Sequence, residues 1–270
     1  VGEAMAGHPL VDMIRFTGAS DTGREIMRVA SATAKKSVME LGGNNPVIVC
    51  ADADVVKAAT WQSQKHFGNC SQNCSTPGRY YVHESIYDQF VEIFVNEAKK
   101  IVVGDPQDEK TTYGPMANKQ QFERVLFYIQ SAIDEGARIA LGGKRIGDKG
   151  YFIEPTVVVD VTHDMTIARE EIFGPAAPIL KFSSEEEVIK LANDSEYGLV
   201  AGVWTEDVAK ALRFTDQLRV DSVYINMPRI QVPELPWGGN VKQSGVGKDG
   251  SMVGLEEFTD LKMVVIQHGS

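Results

Sequence analysis

The apolar positions of the chain follow two alternating rhythms. Short runs rich in β-branched and aromatic residues read as strands: 11–16, 46–50 (PVIVC), 79–83 (RYYVH), 137–141 (ARIAL), 156–161 (TVVVDV), 177–182 (APILKF), 199–204 (LVAGVW) and 222–226 (SVYIN). Longer stretches between several of them keep a helical spacing. Over 85–103 the apolar positions are Ile86, Phe90, Ile93, Phe94 and Ile101, with Ser85 as a cap and Gly104 as the stop. Over 118–135 they are Phe122, Val125, Leu126, Ile129 and Ile133, and Gly136 ends the run. The stretch 183–194 opens SSEEE, a capping serine followed by carboxylates where a helix dipole is positive, and 206–218 is also helix-like. Strands alternating with helices of this length predict an α/β fold built of βαβ units: a mainly parallel, twisted sheet flanked by helices. Such sheets place ligand chemistry on loops at the carboxyl ends of their strands. The closing run LKMVVIQ (261–267) reads as a lone strand with no helix after it, suited to pairing with a sheet edge, including that of a second subunit.

Composition narrows the class. A chain of 270 residues can bury one large α/β core or two smaller ones, and 43% hydrophobic with 24% charged residues is ordinary for a globular protein. The net charge of −10 and a pI near 5.1 argue against nucleic acid as a main partner, because binding phosphates needs clustered Lys and Arg. No apolar run reaches the roughly 18 residues a membrane span needs, and no charged-then-apolar leader opens the chain. The absence of an initiator Met and the early strand make the chain look cut from something longer. Three cysteines, Cys50, Cys70 and Cys74, do not make a disulfide framework and point to a reducing compartment, the cytoplasm. His66, Cys70 and Cys74 supply at most three ligands where zinc wants four, so no metal is expected.

Two of those cysteines sit in HFGNCSQNCSTPGRYYV (66–82). Read alone, Cys74 is either a small buried hydrophobe or a nucleophilic thiol. Glu40, in MELGG, is either an exposed carboxylate at a helix end or, if buried, a base active near neutral pH. Four stretches then fall in order: FTGASDTG (16–23), MELGGNNP (39–46), NCSQNCSTPGR (69–79) and EEIFGP (170–175). Together they resemble the NAD(P)-dependent aldehyde dehydrogenase superfamily. The resemblance continues through DPQDEKTTYGP, GYFIEPTV, NDSEYGL and PWGGNVKQSGVGKD and covers nearly the whole chain.

The resemblance implies roles. Cys74 stands at the position of the family's nucleophile, attacking an aldehyde to give a thiohemiacetal and then a thioester. Glu40 matches the general base that activates water. Glu171 and Phe173 match the pair that holds the nicotinamide ribose, while Glu170 is solvated. Gly18, Ala19 and Gly23 match the turn beneath the cofactor pyrophosphate, and Leu41 and Gly42 lie where backbone approaches cofactor or thiol. The implied cofactor is NAD or NADP, the implied partners are a small aldehyde and further copies of the chain as a dimer or tetramer. Residues 1–41 would be a remnant of the Rossmann-like cofactor domain, 42–243 the catalytic domain, and 244–270 a tail carrying the oligomerisation strand. Phe67 and the segment 227–237 (MPRIQVPELPW) would line an aldehyde tunnel suited to an apolar or aromatic substrate. Asn226 is expected to be structural, Cys70 to pack beside a helix, with an off-pathway disulfide to Cys74 open to it, and Cys50 to be core.

The sequence also departs from the family's pattern. Ala19 replaces a serine, Ser71 replaces the glycine before Gln72, and PWGGNVKQSG carries one extra residue, which would displace Lys242 and Ser244. The family's oxyanion-hole asparagine and its adenosine-binding lysine belong to the region before Val1, leaving the Cys74 N–H as the remaining oxyanion donor; the chain as it stands would turn over aldehyde poorly. Two other functions are compatible with the residues: a cysteine-dependent esterase-like hydrolase, and a non-catalytic assembly domain.

Overall fold

The computed structural model describes residues 1–230 and 232–269. A short helix α1 (Gly2–Gly7) precedes β1 (Met13–Thr17), α2 (Ser20–Ala30) and β2 (Lys36–Glu40), and β2 lies parallel to β1. A second sheet begins at once with β3 (Asn45–Val49), α3 (Val55–His66), β4 (Pro77–His83) and α4 (Tyr87–Ala98). It continues through α5 (Lys119–Asp134), β5 (Arg138–Leu141), β6 (Thr156–Val161), α6 (Thr166–Arg169) and β7 (Ala176–Phe182). It closes with α7 (Glu185–Asn193), β8 (Val200–Trp204), α8 (Val208–Gln217) and β9 (Ser222–Ile225). The chain then returns to the first sheet as β10 (Gly245–Val246), antiparallel to β2, ahead of α9 (Ser251–Glu256).

The larger sheet has seven strands in the order β5-β6-β7-β4-β3-β8-β9, and every neighbouring pair is parallel except β5–β6. Its inner strands β3 and β8 are buried along their whole length, as expected where helices cover both faces. Tyr80, Phe90, Phe94 and Trp204 are fully buried in its core. Side chains cap the helices as the sequence suggests: Asn118 accepts the Gln121 N–H, Ser184 accepts that of Glu187, and the Glu187 carboxylate accepts the Ser183 N–H in return.

Several expectations change. Residues 36–40 form a strand, although Lys35, Lys36 and Ser37 dilute its apolar pattern; Glu40 therefore ends a strand and not a helix. The helix expected over 85–103 starts at Tyr87 after a tight turn capped by the His83 imidazole and stops at Ala98, leaving Ile101 in the following loop. Phe67 is 2% exposed and packs against the rings of His66 and Phe94, so it belongs to the core and not to a tunnel wall. Residues 261–267 form no strand: Leu261, Met263, Val264, Val265 and Ile266 are exposed and meet no sheet edge within this single chain. Part of the tunnel segment, Gln231, lies outside the described residues.

The placement of the site is also reversed. Cys74 precedes β4, Glu171 precedes β7 and Gly43 precedes β3, so these residues gather at the amino ends of the large sheet's strands. The reason is connectivity. Glu40 ends β2 and Asn45 begins β3, so the carboxyl end of the small sheet abuts the amino end of the large one. No helix among the described residues is long and apolar enough to cross a membrane.

Candidate active site

The junction between the two sheets is the four-residue link Leu41–Asn44, all buried. Gly43 ties two candidate residues together. Its N–H donates to the Glu171 carboxylate at 3.0 Å, and a Cβ on it would lie 2.6 Å from the Cys74 carbonyl oxygen. Gly42 is equally constrained, with the Glu171 carboxylate 2.7 Å from where its Cβ would be. Both positions need glycine because neighbours occupy the side-chain space. Asn45 then fixes the thiol loop: its amide donates to the carbonyls of Cys74 and Thr76, both at 2.8 Å, and its side-chain oxygen accepts the Val200 N–H.

Asn44 is held from behind by Arg79, which is 1% exposed. The guanidinium spends all five donors: Nε and Nη2 on the Asn44 carbonyl (3.1 and 2.7 Å), Nη1 on Leu191 O and the Tyr81 hydroxyl, and Nη2 also on Ala192 O. Two of these acceptors are last-turn carbonyls of α7, where the helix dipole is negative. A buried charge is thereby satisfied without a carboxylate, and the link is clamped to the large sheet.

The thiol loop is strained. Asn69, Cys70 and Ser71 follow one another in the left-handed region at φ 52°, 55° and 56°. Ser71 thus occupies a conformation that glycine adopts freely, the physical content of its departure from the family pattern. Its hydroxyl donates to His66 O at 2.7 Å and anchors the turn. Cys70 is buried and its thiol faces the Gly114 carbonyl, while Cys50 is core; burial pushes their pKa values up to about 11 and about 12. Cys74 alone of the three is partly exposed. Burial also raises its pKa; the Arg229 charge and its own N–H lower it, and the negative charges of Glu40 and Glu171 raise it further. Cys74 and Glu40 therefore share one neighbourhood, although they stand on different sheets.

Glu40 is 2% exposed. One carboxylate oxygen accepts the Gly239 N–H at 3.0 Å, and the other is buried without a partner. Burial pushes its pKa up to about 7. Gly238, at φ 145°, lies so close that a Cβ would stand 2.4 Å from the carboxylate. The extra residue in PWGGNVKQSG is accommodated: Ser244 is fully buried and its hydroxyl accepts the Gly198 N–H, while Lys242 donates to the carbonyls of Asn193 and Ser195. Asn226 bridges both backbone groups of Thr205, in keeping with a structural role.

The expected cofactor residues divide. Ala19 caps α2 without a side-chain hydrogen bond, so the helix's first N–H groups are open to an anion. The Ser20 hydroxyl turns inward, accepting the Gly42 N–H at 3.4 Å. A cleft of about 410 Å³ runs from Ala19 and Ser20 to Glu171, with Arg24, Arg124 and Tyr197 on its walls. Phe173, at φ 53° and 37% exposed, stands beyond Glu171, its carbonyl held by Gln121. Gly18 and Gly23 serve packing: a Cβ on Gly18 would strike the Phe16 ring, and one on Gly23 would strike Leu41. The open helix end and the cleft leading to a buried carboxylate fit the phosphate and ribose of a dinucleotide. Arg79, Asn45, Arg229 and the pair Gly238–Gly239 carry the site without having been singled out in the sequence. A lone charge in the aromatic strand PGRYY is the one signal that could have revealed Arg79.

A partly exposed thiol within the electrostatic reach of a buried, protonatable carboxylate can capture a carbonyl covalently and later have water delivered to it. Comparison with known proteins agrees. The aldehyde dehydrogenase family matches residues 1–264. Betaine aldehyde dehydrogenase of Brucella anthropi is 44% identical over 273 residues, covering 100% of this chain and 56% of its own length. Human retinaldehyde dehydrogenase 3 is 44% identical over 270 residues, covering 100% of this chain and 52% of its own. The NAD+ complex of a Bacillus cereus aldehyde dehydrogenase superposes with a TM-score of 0.94 at 41% identity, over 97% of this chain and 53% of that one. The chain belongs to the aldehyde dehydrogenase family. It spans about half the length of the curated relatives it matches.

Proposed function

We propose that the chain carries the covalent half of an NAD(P)-dependent aldehyde oxidation. The observation that supports this most is that the Glu40 charge acts on the Cys74 thiol across the sheet junction, the thiol partly exposed and the carboxylate buried with a free oxygen. The Cys74 sulfur attacks the aldehyde carbon and its proton passes to a base, giving a thiohemiacetal whose oxygen faces the Cys74 N–H. When bound, the nicotinamide cofactor supplies the hydride acceptor. The carbon, once oxidised, remains on Cys74 as a thioester. Glu40, with a pKa of about 7, is half ionised near neutrality; it takes a proton from water, and the hydroxide attacks the thioester to release the carboxylic acid and the thiolate. Glu171 and Phe173 would hold the ribose, the amino end of α2 with Ala19 would meet the phosphates, and Leu41 and Gly42 would let backbone approach them.

In this reading residues 1–41 are the end of a cofactor domain, 42–243 the catalytic domain, and 244–270 a tail that returns β10 to the small sheet and offers 261–267 to a second copy. Free thiols suit the cytoplasm. Aldehyde-dependent NADH formation by the full chain, abolished in Cys74→Ala, is the expected result. Formation that survives the substitution removes the reading.

A further inference from the structure

Beside the thiol, where α3 ends and β3, β4 and β8 begin, lies a cleft of about 220 Å³. Asn73 and Ser75, the neighbours of Cys74, form part of its wall. Its lining includes two cations, Lys65 and Arg229, and neither Asp nor Glu, in a chain with 37 acidic against 27 basic residues. Val47, Val200 and Met227 give the cleft the apolar wall expected of an aldehyde tunnel, and the two cations add a charge that the sequence reading did not include.

Arg229 is the informative residue. It is half-buried and stacks on the Trp237 ring at 4.3 Å. Its Nε is buried with no hydrogen-bond partner, and among the described residues no carboxylate pairs with it. A partly desolvated guanidinium with an unused donor is costly unless a ligand completes it, and the planar fork matches a carboxylate.

We propose that this cleft takes a small aldehyde whose far end carries a carboxylate, bound by Arg229, with Lys65 at the exposed mouth attracting it. The proposal rests on the reading of Cys74 as nucleophile. A cationic aldehyde, such as the one for which the Brucella anthropi relative is named, would meet two like charges here and be disfavoured.

The test compares two alkylating reagents on Cys74 in the full chain: anionic iodoacetate and neutral iodoacetamide, with rates read by mass spectrometry of the Cys74 peptide. The ratio of the two rates cancels any change in thiolate fraction. Cys74 should favour iodoacetate by at least roughly tenfold over the ratio for a free neutral thiol such as N-acetylcysteinamide. The preference should fall in Arg229→Gln, and more modestly in Lys65→Gln, which alters only an exposed side chain and guards against misfolding of the first variant. It should also shrink at about 1 M salt, where screening is nearly complete. A wild-type ratio equal to that of the free thiol, or one unchanged in both variants, overturns the proposal. Alkylation by iodoacetamide without anion preference overturns the substrate class alone. A Cys74 inert to both reagents overturns the nucleophile reading with it.

Discussion

In the seven-stranded sheet, β3 and β8 are buried end to end and aromatic rings from β4, α4 and β8 fill one continuous core. In the three-stranded sheet the buried apolar cluster is Ile14, Met39 and Leu41, with Val11, Phe16, Ile26 and Met27 packed at its edge. The thiol hangs from the seven-stranded sheet and the carboxylate from the three-stranded one. The difference teaches where the precision of the site originates: the large sheet holds Cys74 through Asn45 and Arg79, whereas Glu40 is kept in place by cross-links to it. Those cross-links are short-range and specific: Leu41 N–H to Ser244 O, Gly198 N–H to Ser244 Oγ, and Gly239 N–H to the Glu40 carboxylate.

Core truncations break the comparison most sharply. Phe94→Ala should destabilise the protein by about 3–5 kcal/mol, whereas Ile14→Ala, in the small cluster, should cost only about 2 kcal/mol, the lower end for a buried isoleucine. Urea denaturation measures both, and equal losses would show that the two sheets share one core. Next in size is Arg79→Lys. It keeps the charge but cannot supply five donors in a plane, leaving carbonyls of Asn44, Leu191 or Ala192 without partners at a cost of about 2–3 kcal/mol. Because Asn44 lies between Gly43 and Asn45, the same variant should slow alkylation of Cys74; stability lost with no change in thiol reactivity would separate the clamp from the site.

The pH dependence of Glu40 comes next. Its carboxyl releases its proton at about 7 in the fold and at 4.5 when free, so the native state binds that proton more tightly. Stability is therefore lost as pH rises from about 4.5 to about 7 and stays level above. Glu40→Gln, which mimics the protonated form, should be more stable than the wild type at pH 8 by up to about 3 kcal/mol, with the gap closing towards pH 4.5. Thermal melts across that window decide it. The smallest effect is expected from Ser71→Gly, which relieves a left-handed backbone but gives up the hydroxyl bond to His66 O; the two nearly offset, leaving a stability change in urea denaturation within about 1 kcal/mol of zero.

Much of the fold was legible because the large sheet obeys simple periodicity. The strands at 46–50, 79–83, 156–161, 177–182, 199–204 and 222–226 all formed, since their β-branched runs lie between capped helices. The strand holding Glu40 was not legible: Lys36 and Ser37 occupy its first two positions, directly after Lys35, and leave only Val38 and Met39 as an apolar signal. The candidate residues Cys74, Glu40 and Glu171 were readable from short motifs. What holds them was not, because Arg79 and Asn45 donate to backbone carbonyls 35 and 29 residues away in sequence and the Gly239 N–H donates to Glu40 199 residues away. The same holds for Phe67, whose place is set by rings that only the fold brings near.

The central claim is that Cys74 takes up an acyl group and Glu40 delivers the water that removes it. Intact-mass spectrometry of Glu40→Gln after mixing with a chromogenic acetate ester tests both halves at once. A single acetyl group should accumulate on Cys74 and persist, while the wild type clears it in the same interval. An acetyl group that never appears on Cys74, or that leaves the variant as fast as the wild type, would contradict the account.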